Sequence, residues 1–130
     1  SKAIEVHQSL GMKNIKVTVG KFDENLLDVC KTMESIDMVF LDGHHQKEAT
    51  LSYFEKIKPY FHSNTIIIVD DIYWSPGMTD AWQTITNKMD VSLCIDLYDI
   101  GIVFLKPELS KQFIRLIPFR YKPWKIGLFG

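Results

Sequence analysis

The sequence has few of the features that mark membrane, zinc-binding or disulfide-rich proteins. None of its apolar runs approaches the roughly 20 residues that a membrane-spanning helix needs. It has only two cysteines, Cys30 and Cys94, and their separation matches no zinc-ligand pattern. It also has no phosphate-binding loop and no Gly-x-Ser-x-Gly nucleophile motif. These absences predict a cytoplasmic protein whose two thiols are reduced and buried.

Net charge is also small, at −1, but it is unevenly distributed along the 130 residues. From Lys106 onward there are six basic residues against one acidic residue, whereas the preceding part has nine basic and fifteen acidic residues. No stripe of basic residues interleaves with aromatics before Lys106, so we expect no nucleic-acid partner there. With 46% hydrophobic and 24% charged residues, the chain has the composition of one globular domain.

This charge distribution divides the sequence into residues 1–106, a single domain, and residues 107–130, a basic and aromatic C-terminal tail. The tail carries too many large apolar side chains to remain in water: Phe113, Ile114, Phe119, Tyr121, Trp124 and Phe129. We expect them to pack on the domain or on a partner. A membrane surface is disfavoured because Pro118 and Pro123 interrupt the apolar stripe.

The most informative stretches are two apolar runs that end in acids. Met38–Leu41 leads into Asp42-Gly43-His44-His45, and Thr65–Val69 leads into Asp70-Asp71. Continuous apolar runs with β-branched and aromatic residues are typical of strands buried on both faces, as in parallel sheets. Open α/β sheets bind ligands at the carboxyl ends of such strands. The two runs therefore predict one shared site.

The chemistry of that site has more than one interpretation. Asp42, Asp70 and Asp71 are hard oxygen donors that suit Mg²⁺ or Ca²⁺, or they cap the helices that follow. His44 and His45 are adjacent and diverge, so only one is expected to face the site. That histidine is either a general base or an ordinary hydrogen-bonded surface residue.

Helical and strand patterns alternate along the chain in the order α-β-α-β-α-β-α-β-β. This order predicts an α/β, mainly parallel, three-layer sandwich. Ile15–Val19 is predicted as its first strand, and Leu109–Ile117 as a short helix after the last one. The two strands that follow Val91 are so close in sequence that they must be antiparallel. Trp74-Ser75-Pro76 predicts a helix start, with Trp74 in the core or at a pocket wall, and Met78 and Trp82 in the core.

The segments Leu41–His45 and Val69–Ile72, together with the antiparallel last strand, carry a resemblance. From the first helix to Lys106 the chain resembles the C-terminal two-thirds of class I S-adenosylmethionine-dependent methyltransferases. It is most similar to small-molecule O-methyltransferases related to catechol O-methyltransferase. The resemblance implies a Rossmann-like fold and methyl transfer to a hydroxyl of a small-molecule acceptor.

The resemblance also implies roles for individual residues. Asp42, Asp70 and Asp71 would hold Mg²⁺ or Ca²⁺, with Asp42 also part of the catalytic centre, and His45 would stand where the family has its catalytic lysine. S-adenosylmethionine would be bound by five residues: Gly20, Phe22, Asp42, Gly43 and His44. A non-catalytic Rossmann-like binding domain and an Asp-metal hydrolase or transferase remain the alternatives.

Two family features are missing from these 130 residues: the glycine-rich turn after the first strand and the acid that binds the ribose. We therefore expect the 130-residue chain to bind S-adenosylmethionine weakly and to be inactive by itself. The family strand order 3-2-1-4-5-7-6 implies that Met38–Leu41 lacks a neighbour on one side. That predicts either self-association through this sheet edge or direct pairing of Ile15–Val19 with Met38–Leu41.

Overall fold

The computed structural model describes residues 2–42 and 45–116. In these ranges the chain forms four α-helices, five β-strands and one 3₁₀ turn. The helices are α1 (Lys2–Ser9), α2 (Phe22–Lys31), α3 (Lys47–Ile57) and α4 (Pro76–Thr86), with the 3₁₀ turn Lys58–Tyr60 after α3. The strands are β1 (Ile36–Leu41), β2 (Phe61–Asp70), β3 (Leu93–Asp96), β4 (Ile100–Phe104) and β5 (Gln112–Arg115).

The five strands form one mixed sheet in the order β1-β2-β4-β3-β5. Strand β1 runs parallel to β2, and β3 runs parallel to β5. Strand β4 is antiparallel to both of its neighbours, which confirms the antiparallel pair predicted after Val91. The sheet is mixed and not mainly parallel, because two of its four pairings are antiparallel. It is consistent with part of a Rossmann-like methyltransferase fold.

The core lies on one face of this sheet. Helices α3 and α4 bring Phe54, Met78 and Trp82 against strand residues such as Ile67 and Val103, all of them 2% exposed or less. A second cluster joins α2 to β1 and α3 through Cys30, Ile36 and Ile57. The core positions predicted for Met78 and Trp82 are thus confirmed. So is the burial of Cys30 and Cys94, both of which are free thiols.

The opposite face of the sheet is apolar but carries no described helix, and we call it the open face. Register places one of its rows across all five strands: Phe40, Ile68, Ile102, Ile95 and Ile114. A second row, nearer the amino ends of β1 and β2, consists of Met38, Ile66, Phe104, Leu93 and Gln112. Helix α1 contributes no residue to either core cluster. The described chain therefore has two layers where the sequence predicted three.

The prediction of a strand at Ile15–Val19 was wrong. These residues have no regular secondary structure, all are exposed, and none pairs with β1. An alternating pattern favours a strand only where a neighbour completes the hydrogen-bond ladder. The outer edge of β1 is unpaired within the described ranges, so association of two chains through that edge stays a prediction.

The prediction of a helix at Leu109–Ile117 was also wrong, because Gln112–Arg115 forms β5 beside β3. A helix this short is marginal in water, whereas the edge of β3 offers a row of backbone hydrogen bonds. The sheet thus extends beyond the predicted division at residue 106. Residues 117–130 lie outside the described residues, and their packing stays a prediction.

None of the described helices combines the length and the apolarity that a membrane crossing requires.

The contact between Gly101 of β4 and the indole of Trp82 tests how tightly the core is packed. A Cβ at residue 101 would lie 2.5 Å from Cζ3 of Trp82, too close for a real contact. We expect Gly101→Ala to lower the free energy of unfolding by about 1–3 kcal/mol, because Trp82 is buried and has little room to move. Gly77→Ala is the matched control, since the nearest atom to its Cβ would be the Cβ of Lys47 at 3.5 Å, an ordinary van der Waals contact. Urea unfolding that shows equal stability for both variants would contradict this packing.

Candidate functional site

The parallel pairing of β1 with β2 places the predicted site residues at one border of the sheet. The register aligns Phe40 with Ile68 and Leu41 with Val69. Asp42 therefore follows β1 where Asp70 ends β2 and Asp71 follows it. The carboxyl ends of the two strands meet as the sequence predicted, and the acids and His45 belong to adjacent connections.

At this border the side chain of His45 contacts that of Asp71. Nδ1 of His45 lies 3.0 Å from Oδ2 of Asp71, with side-chain exposures of 38% and 33%. The imidazole lies beside the indole of Trp74, with ring centroids 5.7 Å apart. Trp74 itself is 70% exposed, so it is a surface wall next to the imidazole and not a core residue. The arrangement is a half-buried histidine held between a carboxylate and an aromatic ring.

Backbone strain is concentrated at the same border. His45, Asp71 and Tyr98 have φ angles of +39°, +53° and +79°, and they are the non-glycine residues with positive φ in the described ranges. His45 and Asp71 follow β1 and β2, and Tyr98 lies in the β3–β4 turn, where β3 reaches the same border. Side chains other than glycine adopt this region at a cost, and such residues cluster at functional sites. The strain supports a site here independently of the side-chain chemistry.

The three acids do not behave as helix caps. The N-cap of α3 is Gln46, and the N-cap of α4 is Ser75, whose side chain accepts a hydrogen bond from the Met78 backbone N–H. The helix start predicted at Trp74-Ser75-Pro76 is confirmed. The capping interpretation of Asp42, Asp70 and Asp71 is therefore wrong.

The acids are not assembled as a metal site either. Among the described residues, no group of three His, Cys, Asp or Glu side chains is arranged to hold a metal ion. Asp71 is instead engaged with His45. The donor set thus does not fit Mg²⁺ or Ca²⁺ in this conformation, and metal binding by Asp42, Asp70 and Asp71 stays a prediction.

An apolar cleft of about 180 Å³ opens between α2, α3 and β1, and its lining includes both Phe22 and Asp42. Phe22 also lines a neighbouring cavity of about 230 Å³ together with Gly20. Gly20 has a φ of +143°, and a Cβ there would lie 2.1 Å from Nδ2 of Asn25, so this turn into α2 requires glycine. The structure thus places three of the predicted cofactor residues around adjoining cavities. The other two, Gly43 and His44, lie outside the described residues.

Sequence reasoning missed a polar cluster at the far end of the same border. The Asp96 carboxylate is fully buried and accepts hydrogen bonds from the Tyr73 hydroxyl at 2.5 Å and the Arg115 Nε at 2.8 Å. The Tyr98 backbone N–H donates to its other oxygen at 2.9 Å. Burial and the bond to Asp96 raise the pKa of Tyr73, so its hydroxyl remains a donor. The sequence gives no signal for this cluster, because the alternation of β3 places Asp96 in the polar row with Ser92, and only the structure shows that this row faces the core.

The cluster holds β5 against the connection that follows the acid pair. Arg115 Nη2 also donates to the Tyr73 hydroxyl at 3.0 Å, so one guanidinium spans from β5 to the β2–α4 connection. The hydrogen bond to Asp96 raises the pKa of Arg115, which stays charged at any relevant pH. The hydrogen bonds of Tyr73 therefore connect β5 to the segment that contains Asp71 and Trp74.

Arg115→Met tests this brace. Removing the guanidinium leaves the buried Asp96 carboxylate without its cation, and we expect a loss of about 1–2 kcal/mol in unfolding free energy, since water partly replaces a half-exposed group. Lys31→Met, which breaks the exposed pair between Lys31 and Asp28, should leave stability unchanged. Thermal unfolding distinguishes the two, and equal melting temperatures would mean that the cluster does not stabilise the fold.

Comparison with known protein families agrees with these observations. A family model described as a methyltransferase domain matches residues 5–72, from α1 to the connection after Asp70 and Asp71. No curated protein matches the chain. Because the matched residues are more than half of the 130, the chain belongs to the methyltransferase domain family and is an S-adenosylmethionine-dependent methyltransferase.

Proposed function

We propose that the intact protein transfers the methyl group to a hydroxyl of a small-molecule acceptor, with His45 as the general base. The observation that carries this proposal is the imidazole of His45, which lies 3.0 Å from Asp71 and beside Trp74 at the carboxyl ends of β1 and β2. The similarity to catechol O-methyltransferase-type enzymes is part of this proposal and not a finding, because the matching family model describes a methyltransferase domain without naming a subgroup.

The chemistry needs one proton to be removed from the acceptor. When bound, S-adenosylmethionine would supply a sulfonium-bound methyl group whose carbon is open to in-line attack by the acceptor oxygen, with the C–S bond breaking and S-adenosylhomocysteine as the leaving group. With Nδ1 directed at Asp71, His45 has Nε2 available to take the hydroxyl proton as the new O–C bond forms. The resulting imidazolium is then stabilised by the Asp71 carboxylate. Asp71 is thus a positioning residue, and His45 is the proposed catalytic residue.

Trp74 and the apolar cleft supply the binding surfaces of this proposal. Trp74 presents a largely exposed ring next to His45 and would position a small acceptor. Phe22, at the boundary of the two cavities, would stack on the adenine, and Gly20 would allow close approach of the backbone. Asp42 lines the cleft, and its carboxylate would accept a hydrogen bond from a polar group of the cofactor. Gly43 and His44 stay predicted cofactor residues.

In this mechanism His45 takes the proton, so no step is routed through a metal, and the described residues include no group of three His, Cys, Asp or Glu side chains placed to hold one. The same observation disfavours the alternative of an Asp-metal hydrolase. The catalytic role predicted for Asp42 stays a prediction. This mechanism uses only the cofactor-binding role that was also predicted for Asp42, because His45 takes the proton and Asp71 positions the imidazole.

His45→Gln in the intact protein should reduce methyl transfer by about 10²–10⁴-fold, the usual contribution of a general base. His62→Gln is a matched control, because His62 is also paired with an acid, Asp37, at 3.0 Å, but at the amino ends of the strands. Transfer of a labelled methyl group to a panel of phenols and aliphatic alcohols measures both. The proposal fails if the two variants retain the same rate.

Phe22→Ala tests the cofactor surface. We expect the 130-residue chain to bind S-adenosylhomocysteine with a dissociation constant well above micromolar, and Phe22→Ala to weaken it about tenfold further, the typical loss of one base-stacking contact. Phe113→Ala removes a similarly exposed ring on β5, at the opposite edge of the sheet, and should leave the dissociation constant unchanged. Micromolar affinity, or equal titration curves for both variants, would remove Phe22 from the proposed site.

A further inference from the structure

A second cavity lies at the border of the sheet opposite to His45, and the proposed function does not use it. Its walls come from the start of β2 and from the α4–β3 and β4–β5 connections, and its volume is about 540 Å³. Cavities that bind small molecules measure about 300–1,000 Å³ and combine apolar walls with a few polar groups. The size of this cavity therefore suits a small molecule, and its lining indicates which kind.

Two lysine side chains line this cavity, and each is held in place by a neutral oxygen. Nζ of Lys106 donates to Oδ1 of Asn64, and Nζ of Lys111 donates to the backbone carbonyl of Lys88, both at 3.0 Å. Among the described residues Lys111 has no acidic partner, and the partner of Lys106, Glu108, is exposed and 3.8 Å away. An ammonium group has three N–H donors. Both lysines therefore keep donors and positive charge for a bound anion.

The acidic residue in the lining, Asp90, does not cancel this charge. Its Oδ2 lies 2.8 Å from Nζ of Lys58, so the two side chains form a neutral pair. Burial acts to raise the pKa of Asp90, but the hydrogen bond from Lys58 and the charges of Lys58 and Lys88 outweigh it, so that the pKa lies below its usual value. A carboxyl group whose pKa is lowered in this way lies in a positive potential. An anion in the cavity experiences the same potential.

The other parts of the lining suit a molecule with an apolar body. Phe61, Val91 and Leu105 form an apolar wall, and Ser63 has a hydroxyl that makes no hydrogen bond to a described residue. Ammonium and hydroxyl groups donate to phosphate and carboxylate oxygens in short, charge-assisted hydrogen bonds. We propose that this cavity binds a small molecule that carries a phosphate or carboxylate group on an apolar body.

Phenyl phosphate and benzoate are suitable probes, because each combines one anionic group with an aromatic ring. Calorimetric titration of the 130-residue chain should show saturable binding of at least one of them, about tenfold tighter than binding of benzamide, which has the shape of benzoate but no charge. The probe that binds more tightly identifies the anionic group. If neither anion binds saturably, or if neither binds more tightly than benzamide, the proposal is wrong.

Two substitutions with opposite effects on the charge locate the anion in this cavity. Lys111→Met should weaken binding of the preferred probe about tenfold, since it removes a charge-assisted hydrogen bond. Asp90→Asn should strengthen binding about threefold, since it removes a negative charge and releases Lys58 from its pair. Lys31→Met is the matched control, because it removes an exposed lysine of α2 and should leave the dissociation constant unchanged. Lys106→Met replaces Lys111→Met if that variant does not fold.

Three results with the variants would overturn the proposal. Equal dissociation constants for the Lys111→Met and Lys31→Met variants would mean that the anion does not contact this cavity. Weaker binding by the Asp90→Asn variant would mean that the positive potential does not hold the probe. Loss of binding in His45→Gln would assign the anion to the border of the proposed methyl transfer, whereas unchanged binding there keeps this test separate from the test of that function.

Discussion

The parallel pairing of β1 with β2 is the constraint on which the rest of the structure depends. It aligns Leu41 with Val69, and this single register brings the connections after both strands to one border of the sheet. A slip by one residue would turn the apolar residues of β1 to the other face and move His45 away from Asp71. The helices that pack behind this pair, α3 and α4, begin in the same two connections, so the core and the site are fixed by one pairing.

Both ends of the border are held by surrounding structure, in different ways. On the β1 side, His45 and Asp71 adopt strained positive φ angles that only surrounding structure can maintain. On the β5 side, the buried Asp96 is neutralised by Arg115 and hydrogen-bonded to Tyr73, which lies two residues after Asp71. A general base must be held within hydrogen-bonding reach of its acceptor, and this bracing provides such a support for the imidazole. The described helices that contribute to the core cover one face of the sheet and leave apolar side chains exposed on the other.

The sequence predicted those features that depend on local pattern. The runs Met38–Leu41 and Thr65–Val69 were long and apolar enough to identify buried strands, and Ser75-Pro76 identified the start of α4. Sequence-based prediction failed where the structure of a segment depends on a neighbouring strand. Ile15–Val19 has the alternation of a strand but pairs with no described strand. Gln112–Arg115 has a helical pattern but pairs with the edge of β3. The sequence predicted that the acids after β1 and β2 lie at one border of the sheet. It did not predict that Asp71 contacts His45 or that Asp96 contacts Arg115. Those contacts follow from the strand order.

The protonation of the histidine rings tests the central claim most directly. If Asp71 positions His45, the neutral imidazole carries its proton on Nδ1 and leaves Nε2 free. His62 provides an internal reference with the opposite arrangement, since its Nε2 faces Asp37 and its Nδ1 accepts the Asn64 backbone N–H. Nitrogen-15 NMR at pH 8, assigned with His45→Gln and His62→Gln, should show the Nδ1–H tautomer for His45 and the Nε2–H tautomer for His62. An Nε2–H tautomer at His45, unchanged in Asp71→Asn, would contradict the account.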